Sequence, residues 1–62
     1  MPYVDIKVAG DLSDAQKNAI AMDVAQSLNA HANKPLEATY VTFTEIPRNS
    51  WAKKGKLLSE GA

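Results

Sequence analysis

The stretch Thr39-Tyr40-Val41-Thr42-Phe43-Thr44 decides the fold, because a β-branched or aromatic residue occupies each of its positions. Such residues favour an extended strand. Residues 2–9 read Pro-Tyr-Val-Asp-Ile-Lys-Val-Ala and alternate apolar with polar side chains, which predicts another strand. In this alternation Val4, Ile6 and Val8 point to one face of the sheet, whereas Tyr3, Asp5 and Lys7 point to the other.

A helix is predicted between the two strands, over about residues 14–32. Ser13 and Gln16 have the spacing of a capping box, in which each side chain bonds the backbone N–H of the other residue. Side chains that recur at helical spacing then form an apolar stripe along the helix. The stripe consists of Ile20, Val24 and Leu28, is widened by Ala21 and Ala25, and ends at His31. Pro35 cannot continue the helix, and Asn33 suits its left-handed end. We expect His31 to be a half-buried residue near that end.

Strand, helix and strand in this order predict a right-handed crossover with two parallel strands. After the turn cluster at residues 47–50, residues 56–59 are expected to form a short third strand or one arm of a hairpin. The predicted fold class is α+β: a single domain, residues 1–62, with a β-α-β unit and a short C-terminal hairpin arm. One helix covers only one face of the strand pair, so we expect other subunits to cover the rest.

Size and composition narrow the ways in which this fold can be stabilised. The chain has 62 residues with no cysteine, and His31 is its only histidine. Disulfides and thiolate zinc sites are therefore excluded, and we expect neither a metal nor another cofactor. A chain of this length buries only about 60% of its unfolded surface, which leaves oligomerisation as the expected source of stability.

The charge balance and hydropathy exclude two classes of partner. Seven basic and seven acidic residues give a formal net charge of zero, so nothing favours electrostatic binding to nucleic acid. Lys53, Lys54 and Lys56 come closest to a basic patch, and solvated loop lysines are the simpler interpretation. No apolar run is long enough to cross a membrane, and there is no signal-peptide pattern. We expect a cytoplasmic protein with neither nucleic-acid nor membrane partners.

Pro2 is the candidate catalytic residue. Removal of Met1 would leave Pro2 with a secondary amine as the first nitrogen of the chain, whereas a proline inside a chain has no basic nitrogen. A free α-amino group titrates near pH ~8, and burial lowers that pKa because it penalises the charged form. The amine could then act as a base or a nucleophile near neutral pH. If Met1 is retained, this chemistry is lost.

Several short motifs together resemble those of a known family. They are Pro2 at the head of a strand, Gly10-x-x-Ser13-Asp14-x-Gln16-Lys17 at the helix entry, Pro35-Leu36 before the second strand, Thr44-Glu45, Trp51 and Gly55. At this spacing, and without gaps from Pro2 to the end, the chain resembles the 4-oxalocrotonate tautomerase family of the tautomerase superfamily. The resemblance implies dimers of β-α-β units, three of which form a hexamer, with active sites where subunits meet.

The resemblance also implies a reaction and its residues. In that family the N-terminal proline takes a proton from an enol such as 2-hydroxymuconate and returns it to a distant carbon, giving the α,β-unsaturated ketone. The resemblance assigns this role to Pro2 and implies that the reaction needs no cofactor. Trp51 occupies the position of an aromatic residue that keeps the site apolar and the amine neutral, which suits a general base.

Two positions depart from the family pattern. Leu12 stands where the family has an arginine that binds a substrate carboxylate, and Tyr40 stands where a second arginine polarises the carbonyl. A guanidinium binds a carboxylate through two parallel hydrogen bonds, which Leu12 cannot form. Tyr40 offers one neutral hydrogen-bond donor at most. We therefore expect weak or altered activity on 2-hydroxymuconate, with Arg48, Lys53 or Lys54 as candidates to replace the missing charges.

Three interpretations remain open at this level. The chain is a divergent homo-oligomeric enzyme acting on a smaller or more apolar enol or keto acid, one subunit of a hetero-oligomeric enzyme whose partner supplies the arginines, or a scaffold without catalytic function. Trp51 is equally suited to wall a site or to anchor a subunit contact, and Tyr40 to pack within the sheet. We interpret Tyr3, Asp5 and Lys7 as assembly contacts.

Overall fold

The computed structural model describes residues 1–60. Its elements in chain order are β1 (Tyr3–Ala9), α1 (Asp14–Ala32), β2 (Tyr40–Ile46), β3 (Ala52–Lys53) and β4 (Lys56–Leu57), with 3-10 turns at Leu36–Ala38 and Arg48–Ser50. The β-α-β unit and the C-terminal hairpin arm predicted from the sequence are both confirmed. We call residues 1–46 the body and residues 47–60 the arm.

The two long strands are parallel, with Tyr3 opposite Tyr40 and Ala9 opposite Ile46. β2 differs from its predicted bounds at both ends. It begins after Thr39, because the Thr39 N–H is bonded to the Leu36 carbonyl of the preceding 3-10 turn (3.2 Å). It continues to Ile46, whose carbonyl accepts the Gly10 N–H (2.9 Å), so that the pairing extends beyond β1.

Helix α1 has the predicted bounds because both of its caps form. The Ser13 hydroxyl accepts the Gln16 N–H (3.1 Å) and the Gln16 side chain accepts the Ser13 N–H (2.9 Å), which completes the capping box. Asn33 adopts a left-handed conformation (φ 60°) and ends the helix. The expectation of a half-buried His31 is wrong: its side chain is exposed, because the half-buried part of the helix ends at Leu28 and residues 29–37 are all exposed.

The arm is a two-stranded hairpin in which Ala52 pairs with Leu57 and Lys53 with Lys56. Its turn residues Lys54 and Gly55 both have positive φ (56° and 77°), as a tight type I′ turn requires. The predicted strand over residues 56–59 is shorter than expected, because beyond Leu57 the backbone forms a turn.

Packing within one chain is thin. The helix covers the sheet face that carries Val4, Ile6 and Val8, and these side chains stay half-buried. No side chain of residues 1–60 is fully buried. The radius of gyration is 14.6 Å, against about 11 Å for a compact domain of this length. A single copy therefore lacks a closed hydrophobic core.

Among the residues described, no helix has the length and apolar character needed to cross a membrane.

Candidate functional site

Pro2 lies at the beginning of β1, where the second strand holds its backbone. Its carbonyl accepts the Tyr40 N–H (3.0 Å), which extends the β1–β2 ladder by one bond. Pro2 is half-buried, whereas the side chain of Met1 is 87% exposed. The side chain of Met1 is therefore accessible, and the backbone of Pro2 is held by the sheet.

A groove of about 290 Å³ lies next to this end of the sheet, between the helix and the start of β2. Its lining residues are Asn18, Ala21, Met22, Ala25, Leu36, Thr39 and Val41. All of these side chains are uncharged, and only Asn18 and Thr39 offer side-chain hydrogen bonds. Thr39 precedes Tyr40, the residue bonded to Pro2, and Val41 pairs with Val4. The groove and Pro2 are therefore connected through the first residues of β2.

Leu12 lies at the opposite end of the sheet. Its N–H donates to Glu45 (3.0 Å), and Glu45 pairs with Val8 near the end of β1. The strand from Tyr3 to Ala9 spans about 20 Å at ~3.3 Å per residue. Pro2 and Leu12 of the same chain therefore do not form one site. A site containing both positions needs residues from two chains.

Glu45 joins the second strand to the helix entry. Besides accepting the Leu12 N–H, it forms an ion pair with Lys17 (2.6 Å). The Lys17 hydrogen bond, followed by that of the Leu12 N–H, lowers the pKa of the Glu45 carboxyl below its ordinary value of 4.5, while the same ion pair raises the pKa of Lys17. The sequence analysis missed this role of Glu45, although the residue belongs to the Thr44-Glu45 motif.

The sheet face away from the helix carries a chain of hydrogen bonds. The Asp5 carboxylate accepts from Thr42 (3.0 Å), Thr44 (3.1 Å) and Lys7 (2.7 Å), and Tyr3 shares a hydrogen bond with Thr42 (3.0 Å). The Lys7 hydrogen bond is the main reason why the pKa of Asp5 lies below its ordinary value of 3.8. Tyr3, Asp5 and Lys7 share one face, as the alternation predicted.

Tyr40 and the arm residues are divided between two regions. Tyr40 is 56% exposed and stands opposite Tyr3 beside Pro2. Trp51 is half-buried at the base of the arm, where its carbonyl accepts the Leu58 N–H (2.9 Å), and Arg48 and Lys53 are exposed. The structure thus brings Tyr40 to Pro2 and collects Trp51, Arg48 and Lys53 on the arm. Within residues 1–60 no three potential metal ligands cluster.

Comparisons with known proteins identify relatives over most of the chain. The family model described as "Tautomerase enzyme" matches residues 2–61. The tautomerase PptA of Klebsiella pneumoniae is 38% identical over 52 residues, which cover 82% of this chain and 69% of that protein. A probable tautomerase of Bacillus cereus is 33% identical over 60 residues, which cover 97% of this chain and 98% of that protein.

A solved structure supports the fold over the full length of the chain. The heterohexamer 4-oxalocrotonate tautomerase from Chloroflexus aurantiacus J-10-fl superposes with a TM-score of 0.90, and the alignment covers 100% of both chains. At 22% identity this likeness concerns the fold alone.

Proposed function

The chain belongs to the tautomerase family, and on this premise we propose that it is an isomerase in which Pro2, freed of Met1, is the general base. The observation that carries the proposal is the placement of Pro2. The residue is half-buried, its carbonyl accepts the Tyr40 N–H, and a groove without charged side chains is lined by Thr39 and Val41, the residues on either side of Tyr40. A partly desolvated amine at that position favours the neutral form, which is the form that accepts a proton.

The reaction proposed is a proton relocation. The Pro2 nitrogen takes the hydroxyl proton of an enol, electron density moves along the conjugated chain, and the same nitrogen returns the proton to a carbon. The product is a ketone with the same atoms as the substrate. No oxidant, reductant or added group is required, so Pro2 alone can perform the transfer.

The substrate class proposed is a small enol or unsaturated keto acid with one carboxylate. The groove is lined mainly by Ala, Met, Leu and Val side chains, which suit an apolar or aryl group. Leu12 and Tyr40 provide no cation to bind a second carboxylate. Tyr40, exposed beside Pro2, can donate one neutral hydrogen bond to the developing oxyanion.

The remaining charge is proposed to come from another chain. Arg48 and Lys53 lie on the arm with Trp51 and are exposed, so in an oligomer they can reach the Pro2 end of a neighbour. A hexamer of one chain type is the assembly we propose, with each site shared between subunits.

The test is an enol–ketone interconversion assay with 2-hydroxymuconate and phenylpyruvate. Intact mass first identifies the fraction of chains that lack Met1. A matched control carries one additional residue before Pro2, which leaves every side chain in place and converts the amine to an amide. We expect this control to lose activity about 100-fold or more, the contribution of a positioned general base. Pro2→Ala should also be impaired, and a Pro35→Ala variant should keep its rate.

Two results would decide against the proposal. If the extended chain retains full activity, the base is another group. If no enol is turned over by the chain that lacks Met1, the protein serves as a scaffold or needs a second chain. The interpretation that a second chain is needed is favoured by Leu12 and Tyr40, because neither residue supplies a guanidinium. Activity that appears only after mixing with an arginine-bearing relative would establish this interpretation.

A further inference from the structure

The groove between the helix and the start of β2 has a single long apolar side chain on its helical wall. The helix contributes Asn18, Ala21, Met22 and Ala25, whose spacing places them on one face. Both alanines end at Cβ, so Met22 alone extends far enough from the helix to cover a bound apolar group. The apolar cover on this side of the groove therefore depends on one residue.

Met22 is also accessible and adaptable. Its side chain is 50% exposed, and that of Leu36, the largest lining residue outside the helix, is 43% exposed. The groove volume of about 290 Å³ lies close to the lower limit of small-molecule sites, ~300 Å³. Methionine is unbranched and flexible, and it adjusts to irregular apolar partners. We therefore expect an aryl group that enters the groove to lie against the Met22 thioether.

The same thioether is the main position at which this chain is open to oxidation. The sequence has no cysteine and two methionines, Met1 and Met22. Removal of Met1, which the Pro2 chemistry requires, leaves Met22 with the only sulfur atom of the chain. Peroxides convert methionine to its sulfoxide, a polar and chiral side chain. A peroxide that acts on sulfur in such a chain therefore changes the lining of the groove.

We propose that Met22 is a peroxide-sensitive modification site and that its oxidation to the sulfoxide weakens the binding of apolar groups in the groove. A sulfur lone pair attacks one oxygen of the peroxide, the O–O bond breaks, and an S–O bond forms. The sulfur is oxidised, and the other oxygen of hydrogen peroxide is reduced and leaves as water. The inference rests on the proposed function in one respect, that the groove holds the apolar part of the substrate.

The polar groups of the groove explain why a sulfoxide should interfere. The Thr39 hydroxyl already donates to the Pro35 carbonyl (2.9 Å), which leaves Asn18, one helical turn before Met22, as the side-chain donor to a sulfoxide oxygen. A sulfoxide bonded to Asn18 occupies the groove, whereas one turned towards water withdraws its apolar cover. In both arrangements a bound aryl group loses contact with the thioether.

The first test asks whether Met22 contacts an aryl ligand. The probe is 3-phenylpropionate, which has no ketone and therefore reacts neither with peroxide nor in the proposed isomerisation. In a chain with isotope-labelled methionine methyl groups and without Met1, the Met22 methyl resonance should shift saturably as the probe is added. Propionate, which has the carboxylate but no ring, should cause no comparable shift. A resonance that does not respond, or that responds equally to both acids, would overturn the proposal.

The second test measures the effect of oxidation. Hydrogen peroxide is added until the intact mass shows one added oxygen atom per chain, and is then removed. Affinity for 3-phenylpropionate should fall about ten-fold, as expected for a polar group in an apolar site. With phenylpyruvate the loss should appear in KM rather than kcat, because the sulfur does not touch the reacting atoms. Methionine sulfoxide reductases should restore the affinity.

Two variants control for oxidation elsewhere in the chain. Met22→Leu keeps an apolar side chain that peroxide does not modify, so treatment should leave its own affinity unchanged. Met22→Leu combined with Ser27→Met moves the thioether to an exposed helical position outside the groove lining, where its oxidation should not alter binding.

The outcomes separate this inference from the reaction proposed above. Unchanged affinity of the oxidised parent chain would overturn the inference, and so would an equal loss of affinity in the oxidised double variant. If Met22 responds to both the probe and peroxide while no enol is turned over, the proposed reaction fails and the modification site stands.

Discussion

The body and the arm are stabilised in opposite ways. In the body, polar groups satisfy one another: Glu45 joins Lys17 to the Leu12 N–H, and Asp5 accepts three side-chain donors. In the arm, a tight turn and a few backbone bonds hold a hairpin whose cations have no carboxylate partner within residues 1–60. The difference shows that the charged groups of the body are paired within one chain, whereas the cations of the arm are not.

The largest expected effect of a single substitution is that of Trp51→Ala in the arm. In the oligomer proposed above, a neighbour covers the half-buried Trp51 indole, so its removal should weaken association about 30-fold (about 2 kcal/mol). Trp51→Phe should retain most of the association. Sedimentation equilibrium measures both variants, and an unchanged constant for Trp51→Ala would show that the arm does not dock through its aromatic residue.

Gly55→Ala should have the next largest effect, again through the arm. Gly55 has φ 77°, and an L-residue in this left-handed region costs roughly 1–2 kcal/mol. Nothing lies within 4 Å of an added Cβ, so the backbone conformation alone is tested. Association should weaken while the helical circular dichroism signal at saturating concentration stays constant. Gly55→Asn, which tolerates this conformation, serves as the control.

Ser13→Ala tests the body alone. Loss of the hydroxyl that accepts the Gln16 N–H should destabilise the helix by about 1 kcal/mol. Urea unfolding at a fixed, saturating protein concentration measures the change. Ser59→Ala is the control for removal of a hydroxyl outside the body. A Ser13→Ala chain as stable as the parent would mean that the cap does not contribute to the assembled protein.

Acidification should affect the body through Asp5 and Glu45. Both carboxyl pKa values are lowered in the folded chain, so each contributes stability above its unfolded value, near 3.8 and 4.5 respectively, and loses it as the pH falls through the lower folded value. Thermal melts between pH 6 and pH 2 should therefore show a decline that begins below about pH 5. In Glu45→Gln the decline should be shallower, since one of the two titrating groups is absent.

The smallest effect expected is a stabilisation of the arm. Lys54 has φ 56°, and the sequence Asn-Gly suits a type I′ turn better than Lys-Gly. Lys54→Asn should therefore stabilise the hairpin by about 0.5 kcal/mol, while it removes one cation from the arm. Backbone amide exchange at Leu58 should slow in the variant, and faster exchange would mean that the charge matters more than the turn.

Local signals in the sequence were sufficient for most of the fold. The alternation in residues 2–9, the capping box and Asn33 each act through neighbouring residues, and their consequences are seen in the structure. The extension of β2 to Ile46 was missed because it depends on pairing with Val8 and Ala9 and on the Gly10 N–H, which are all remote in sequence. The exposure of His31 was missed because helical periodicity does not show at which residue the half-buried part of a helix ends.

The candidate site was less accessible to sequence reasoning. The pattern singled out Pro2 and Tyr40, and the structure joins them by a backbone hydrogen bond. It also singled out Leu12, which lies at the far end of the sheet, and Trp51, which lies on the arm. A sequence describes one chain, whereas the relation of these positions to Pro2 depends on how several copies meet.

The lack of any fully buried side chain within residues 1–60 has a consequence for the life of the protein in a cell. When folding requires association, the folded fraction follows the total concentration of subunits by mass action. In the oligomer proposed above, newly made copies at low abundance would therefore be open to proteases until enough had accumulated to assemble.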